Sequence, residues 1–101
     1  MILYSVTVNV ENDVAQEWLK WMQETHIPDV MRTGMFVENK LLKLLTEVEG
    51  NTGITFSVQY LCESREKYDE YQRSHAPALQ AAHHKKYQGK YVAFRTLLEV
   101  M

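Results

Sequence analysis

An α+β domain of βαββαβ order is what this sequence predicts, and three observations predict it. Stretches of period-two alternation open the chain, recur after its middle and close it. Helical stripes of apolar residues lie between them. The cluster Gly50-Asn51-Thr52-Gly53 stands directly before the middle stretch, as the turn of a hairpin does. Such an order over residues 1–101 is the ferredoxin-like arrangement, with a four-stranded antiparallel sheet in a single domain.

In the first element, Ile2, Tyr4, Val6, Val8 and Val10 alternate with Leu3, Ser5, Thr7 and Asn9, the pattern of a half-buried strand. Asn12 or Asp13 then offers an N-cap. Val14, Trp18, Trp21, Met22 and Thr25 fall on one helical stripe, so both tryptophans are expected as core rather than as ligand platforms. Pro28 disfavours helix at Ile27, which ends this helix near His26, and a short turn closes at Gly34. Leu41, Leu42, Leu44, Leu45 and Val48 have helical spacing, but the turn cluster before the next strand favours Phe36–Glu49 as the first arm of a hairpin. Its second arm is Ile54, Phe56, Val58 and Tyr60 alternating with Thr55, Ser57 and Gln59. Ser64 caps a second helix, which Pro77 breaks or restarts and which runs to Gly89. Tyr91–Val100 alternates again as the last strand.

Composition removes several classes of function. The formal charge is −2 with Lys and Arg scattered, which leaves no basic footprint for nucleic acid. His83-His84-Lys85-Lys86 reads as a solvated helix face, although His83 also continues the helical pattern of Leu79, Ala82 and Tyr87. No run approaches the roughly 18 apolar residues of a membrane span, and the alternating start is that of a strand rather than a signal peptide. A cytoplasmic protein is expected. The single cysteine, Cys62, excludes an internal disulfide and a thiolate zinc cage, and His75, His83 and His84 lack metal-ligand spacing; neither metal nor cofactor is expected.

The two helices can cover one sheet face. The apolar sets Ile2/Tyr4/Val6/Val8, Ile54/Phe56/Val58/Tyr60 and Val92/Phe94/Leu98 are expected beneath them. Leu3, Leu61, Tyr91 and Leu97 then fall on the opposite face among polar residues, a mixture that a second copy would cover; a homodimer through this face is expected.

Candidate site residues follow from charge and chemistry. Arg95 lies mid-strand among Ala93, Thr96 and Leu97, where a guanidinium needs a partner: an anionic ligand held by its fork, or a structural carboxylate. On this reading its guanidinium faces the interior of a barrel, on the side opposite Phe94, within reach of Gln59 and near the pole that carries His26. His26 could act as a general base with Asp29 orienting its ring; equally, Asp29 could cap the turn after Pro28 while His26 favours the end of its helix. No phosphate loop, nucleophile elbow or paired-carboxylate motif is present.

The segments His26-Ile27-Pro28-Asp29-Val30-Met31, Gly34-Met35-Phe36, Val58-Gln59-Tyr60, Ala76-Pro77-Ala78-Leu79-Gln80 and Ala93-Phe94-Arg95-Thr96-Leu97 resemble, end to end, a family of short bacterial proteins known as a domain of unknown function. The pattern is more loosely similar to the dimeric α+β barrels, among them cofactor-free monooxygenases, isomerases, haem-degrading enzymes and ligand-binding regulators. The wider resemblance implies a dimer with a pocket between sheet and helices, and the nearer one brings no activity. Together they leave a small dimeric ligand-binding or accessory domain as the leading reading, with a small anionic or aromatic ligand. A cofactor-free oxygenase or isomerase acting on an aromatic or enolisable substrate is the alternative, and a structural interaction protein the third.

Overall fold

Alternation becomes strand in all the expected places. The computed structural model describes residues 1–46, 50 and 52–101. Strands β1 (Ile2–Val10), β2 (Glu38–Lys43), β3 (Ile54–Cys62) and β4 (Tyr91–Glu99) form one antiparallel sheet in the order β2-β3-β1-β4. The β-branched first and third strands take the centre, where both edges are paired. The chain has the ferredoxin-like fold. The hairpin arm expected over Phe36–Glu49 is a shorter strand; its ladder extends by Val37 N–H to Leu61 O and Leu44 N–H to Thr55 O. Residues 47–49 and 51 of the expected arm and turn lie outside the described residues. Gly53, at φ 81°, enters β3 where any side chain would run into the Val10 carbonyl.

The first helical region is longer than the proline rule suggests. Helix α1 (Ala15–Trp21) passes into a π-helical turn (Met22–His26) and then into α2 (Ile27–Arg32). Ile27 is helical, at φ −61° and ψ −45°, and its N–H bonds to the Met22 carbonyl five residues back. This wider turn seats Pro28 in the first turn of α2, where its missing N–H leaves no gap. His26 is therefore inside a continuous helical run rather than at its end. That run stops at Gly34, at φ 76°, whose N–H reaches the Met31 carbonyl. Ser64 caps α3 (Arg65–Ser74) by accepting the Lys67 N–H, and Pro77 opens α4 (Ala76–Tyr87) after a break at His75.

All helices cover one face. The core beneath them is Tyr4, Val8, Phe56, Val58 and Tyr60 from the sheet against Trp18, Met22, Val30 and Tyr71 from the helices. Register corrects the expectation for β4. Val6 stands opposite Arg95, Val8 opposite Ala93 and Tyr4 opposite Leu97, so the odd-numbered residues of β4 share the helix-facing side. Val92 and Phe94, expected in the core, are 70% and 63% exposed on the outer face together with Leu98. Leu97, expected outside, packs against the core.

Candidate functional site

The helix-facing side is not filled to its edge. Between β1, β3 and β4 below and the π turn, α3 and α4 above lies a half-open cleft. Tyr4, Tyr60, Tyr71 and Tyr91 supply aromatic wall; His26, Gln80, His83 and Arg95 supply polar groups. The π turn has a part in this, since it carries both Met22 and His26 to the lining. Such turns recur at functional sites because they re-aim side chains that a regular helix would place elsewhere.

Arg95 is anchored rather than ion-paired. Its Nε donates to the Tyr4 Oη at 3.1 Å, the diagonal neighbour across the β1–β4 ladder. No carboxylate among the described residues lies within salt-bridge distance, and its terminal nitrogens make no protein hydrogen bond there. The Tyr4 hydroxyl, having accepted, keeps its own proton to donate.

Burial holds the two cleft histidines, His26 and His83, toward their neutral form. Burial pulls His26 down to about 4. His83 falls to about 4 as well, through burial first and then the repulsion that a charge on His26, Arg95 or His84 would exert on a protonated ring. The two rings stand 5.8 Å apart, and Trp21 lies against both, at 5.1 Å from His26 and 5.8 Å from His83. His83 accepts the Trp18 indole N–H at Nε2, at 2.8 Å. His26 has no hydrogen-bond partner among the described residues. Burial also raises the Tyr60 and Tyr71 phenols, so both remain neutral and apolar in effect.

Of the residues singled out by sequence, the structure brings His26 and Arg95 to one cleft and leaves the others outside it. Asp29 does not orient His26. It pairs with Arg32 one turn along the helix, on an exposed surface. Gln59 is on the outer face, where its amide donates to Ser57 Oγ at 3.2 Å, so it shares no cluster with Arg95. His83, grouped by sequence with a solvated basic face, is inside; His84, Lys85 and Lys86 are exposed. Tyr4, Gln80 and Tyr91 were not singled out either. The available signal was spacing on α4: Gln80, His83 and Tyr87 lie at i, i+3 and i+7 on one side of that helix.

Chemically, the arrangement gathers donors around an aromatic slot. No group of three or more His, Cys, Asp or Glu side chains among the described residues could hold a metal ion. Among the described residues, no helix is long and apolar enough to cross a membrane.

Comparison with known proteins gives the family and the fold. Residues 1–101 match the model of a domain of unknown function, DUF4286. No curated protein matches the chain. Among solved structures, an ethyl tert-butyl ether D (EthD) family protein of Bacillus halodurans superposes with a TM-score of 0.73 at 14% identity, covering 100% of both chains. A dimeric ferredoxin-like protein of an uncultured marine organism gives 0.71 at 13% identity, covering 100% of this chain and 95% of that one. SnoaB, a cofactor-independent oxygenase of Streptomyces nogalater, gives 0.70 at 11% identity, covering 99% and 92%.

Proposed function

We propose that this chain, which belongs to the DUF4286 family of unknown function, is a homodimeric ligand-binding domain whose cleft takes a small aromatic anion. The observation that carries the reading is Arg95. A guanidinium fixed by a tyrosine hydroxyl, with its terminal nitrogens free of carboxylate partners among the described residues, stands at an aromatic cleft. Arg95 is exposed at the cleft, where water solvates its terminal nitrogens, and a ligand carboxylate could replace that water in a bidentate contact. The tyrosine walls suit a planar ring, and the neutral histidines add hydrogen bonds without opposing charge.

The dimer rests on the outer face. Val92, Phe94 and Leu98 are exposed there beside Leu3 and Leu61, an apolar rim that a second copy would bury. The marine structural neighbour is described as dimeric, which supports the same assembly. One observation favours catalysis as a second reading: His26 lines the cleft half-buried, with its ring free of hydrogen-bond partners among the described residues, where an unprotonated nitrogen could take a proton from an enolisable or phenolic substrate. The cofactor-independent oxygenase among the neighbours supports that alternative only at the level of the fold.

Isothermal titration with benzoate and salicylate tests the binding reading. Saturable binding of at least one acid, weakened tenfold or more in Arg95→Met, is the expected result. No binding of either acid to the wild-type protein at millimolar concentration overturns it. Oxygen uptake or solvent-deuterium exchange into a dihydroxyaromatic acid, abolished in His26→Phe, would move the reading to catalysis.

A further inference from the structure

We infer that Trp18 locks His83 into the tautomer protonated at Nδ1, making His83 a dedicated donor to the ligand, so that the cleft prefers aromatic acids bearing an acceptor beside the carboxylate. The inference rests on the ligand-binding reading of the cleft and deepens it. Indole has one N–H and no acceptor, so the 2.8 Å contact from Trp18 Nε1 requires a lone pair on His83 Nε2. A neutral imidazole with Nε2 unprotonated carries its proton on Nδ1. Protonating Nε2 would set two N–H groups against each other inside the core. Burial and the neighbouring positive groups oppose that protonation independently.

The lock is built from immobile parts. Trp18 is fully buried, with its ring 4.8 Å from Phe56, and has no room to turn. Tyr91 meets the His83 ring edge-on at 4.5 Å and limits its rotation from the other side. The Nδ1 has no hydrogen-bond partner among the described residues and is not among their sealed, unpartnered atoms, of which the Tyr87 hydroxyl is the only one, so it keeps access to solvent at a residue that lines the cleft. His83, Arg95 and Tyr4 line the same cleft, so a ligand there could meet donors from α4, β4 and β1.

A carboxylate held by Arg95 leaves the His83 donor for a second oxygen. In salicylate the phenolic proton turns to its own carboxylate, and the phenolic oxygen presents lone pairs; benzoate has nothing at that position. Trp18 is thus a positioning residue acting through His83. The direct test is nitrogen-15 NMR of the histidine rings in the wild-type protein near neutral pH. One ring, identified as His83 by its loss in His83→Phe, should show a protonated Nδ1 and an unprotonated Nε2. The opposite tautomer, or a rapid mixture of both, overturns the lock.

The selectivity follows in titrations with the two acids. Wild-type protein should bind salicylate about tenfold more tightly than benzoate, the worth of about one hydrogen bond. His83→Phe should bring that ratio to about one, and Trp18→Phe, which releases His83 into a mixture of tautomers from which the ligand must select the donor, should lower it to about two to five. Equal affinities in the wild type overturn the preference while leaving the cleft as a binding site. Binding of neither acid overturns the cleft reading itself and the preference with it. If Trp18→Phe does not fold, the wild-type spectrum and His83→Phe decide.

Discussion

The two faces of the one sheet use polar side chains in opposite ways. On the outer face they satisfy one another: Asn9 donates to Thr55 at 3.0 Å, Gln59 to Ser57 at 3.2 Å, and Ser5 meets Ser57 at 3.5 Å. Around this strip run Leu3, Leu61, Val92, Phe94 and Leu98. On the helix-facing side the polar groups are fewer and are left partly open: Arg95 with one nitrogen used, His83 with one, His26 with none among the described residues. A surface whose polar groups are already paired suits association with another copy of itself. A surface that holds donors in reserve inside an aromatic slot suits a ligand. Under the proposed function, one face serves assembly and the other recognition.

Breaking the helix-facing side at its centre gives the largest effect. Trp18→Ala removes a fully buried indole against Phe56 and should cost about 3–5 kcal/mol, enough to unfold most of a domain of this size. Urea denaturation checks it; a loss below about 1 kcal/mol would mean that the stripe along α1 does not form the core.

Acid should act on the same side. His26 and His83 are held near 4 when folded and return to about 6.5 when unfolded, so between those values the unfolded chain binds more protons. Their contribution is complete above about pH 6.5 and is lost as pH falls toward 4. A gap of about 2.5 pH units corresponds to about 3 kcal/mol as a ceiling for His26, and His83, more open and coupled to it, adds less. Denaturation midpoints across that window should fall in the wild type and flatten in a His26→Phe, His83→Phe double variant. An unchanged slope would take the histidines out of the buried site.

Legibility differed between strands for a physical reason. In β1 and β3 the residues on one parity are β-branched or aromatic, while those on the other are mostly polar, so sequence alone identified the buried side. In β4 both parities are apolar: Tyr91, Ala93 and Leu97 on one, Val92, Phe94 and Leu98 on the other. The choice is made by the pairing of Val6 with Arg95, a contact between the two ends of the chain that no local pattern records. The expectation that Phe94 was core placed Arg95 on the outer face with Gln59, and one register put both right. His83 was hidden in a similar way. Its neighbours His84, Lys85 and Lys86 are exposed, and only the three-to-four-residue spacing of α4 separates it from them. His26 was singled out, but for a role with Asp29 that Arg32 takes over.

Testing the outer face needs a charge. Phe94→Asp places an unpaired carboxylate where a second copy would bury it, and should shift the protein toward monomer by a large factor in sedimentation equilibrium. Because Phe94 is 63% exposed in the isolated chain, the monomer should stay folded. A variant with the wild-type mass at every concentration would remove the outer face as the interface. Arg95→Met makes the reciprocal cut. It should change folding stability by no more than about 1–2 kcal/mol, through the lost Tyr4 contact, while removing the anion anchor. Loss of stability by about 3–5 kcal/mol instead would reveal a buried carboxylate partner.

The smallest expected effect draws the line between the faces most finely. Gln59→Ala removes one amide donor to Ser57, a half-buried contact at 3.2 Å that water or Ser5 can replace, so stability should fall by no more than about 1 kcal/mol. The cleft should not respond, because Gln59 points to the other side of β3 from Val58 and Tyr60, which line it. Titrating the variant with salicylate should return the wild-type dissociation constant within about twofold. A loss comparable to that of Arg95→Met would show the two faces communicating through the sheet. If dimer dissociation rises while salicylate affinity holds, the division stands: Gln59 belongs to the strip of paired polar groups that the second copy covers, and Arg95 to the group left open for the ligand.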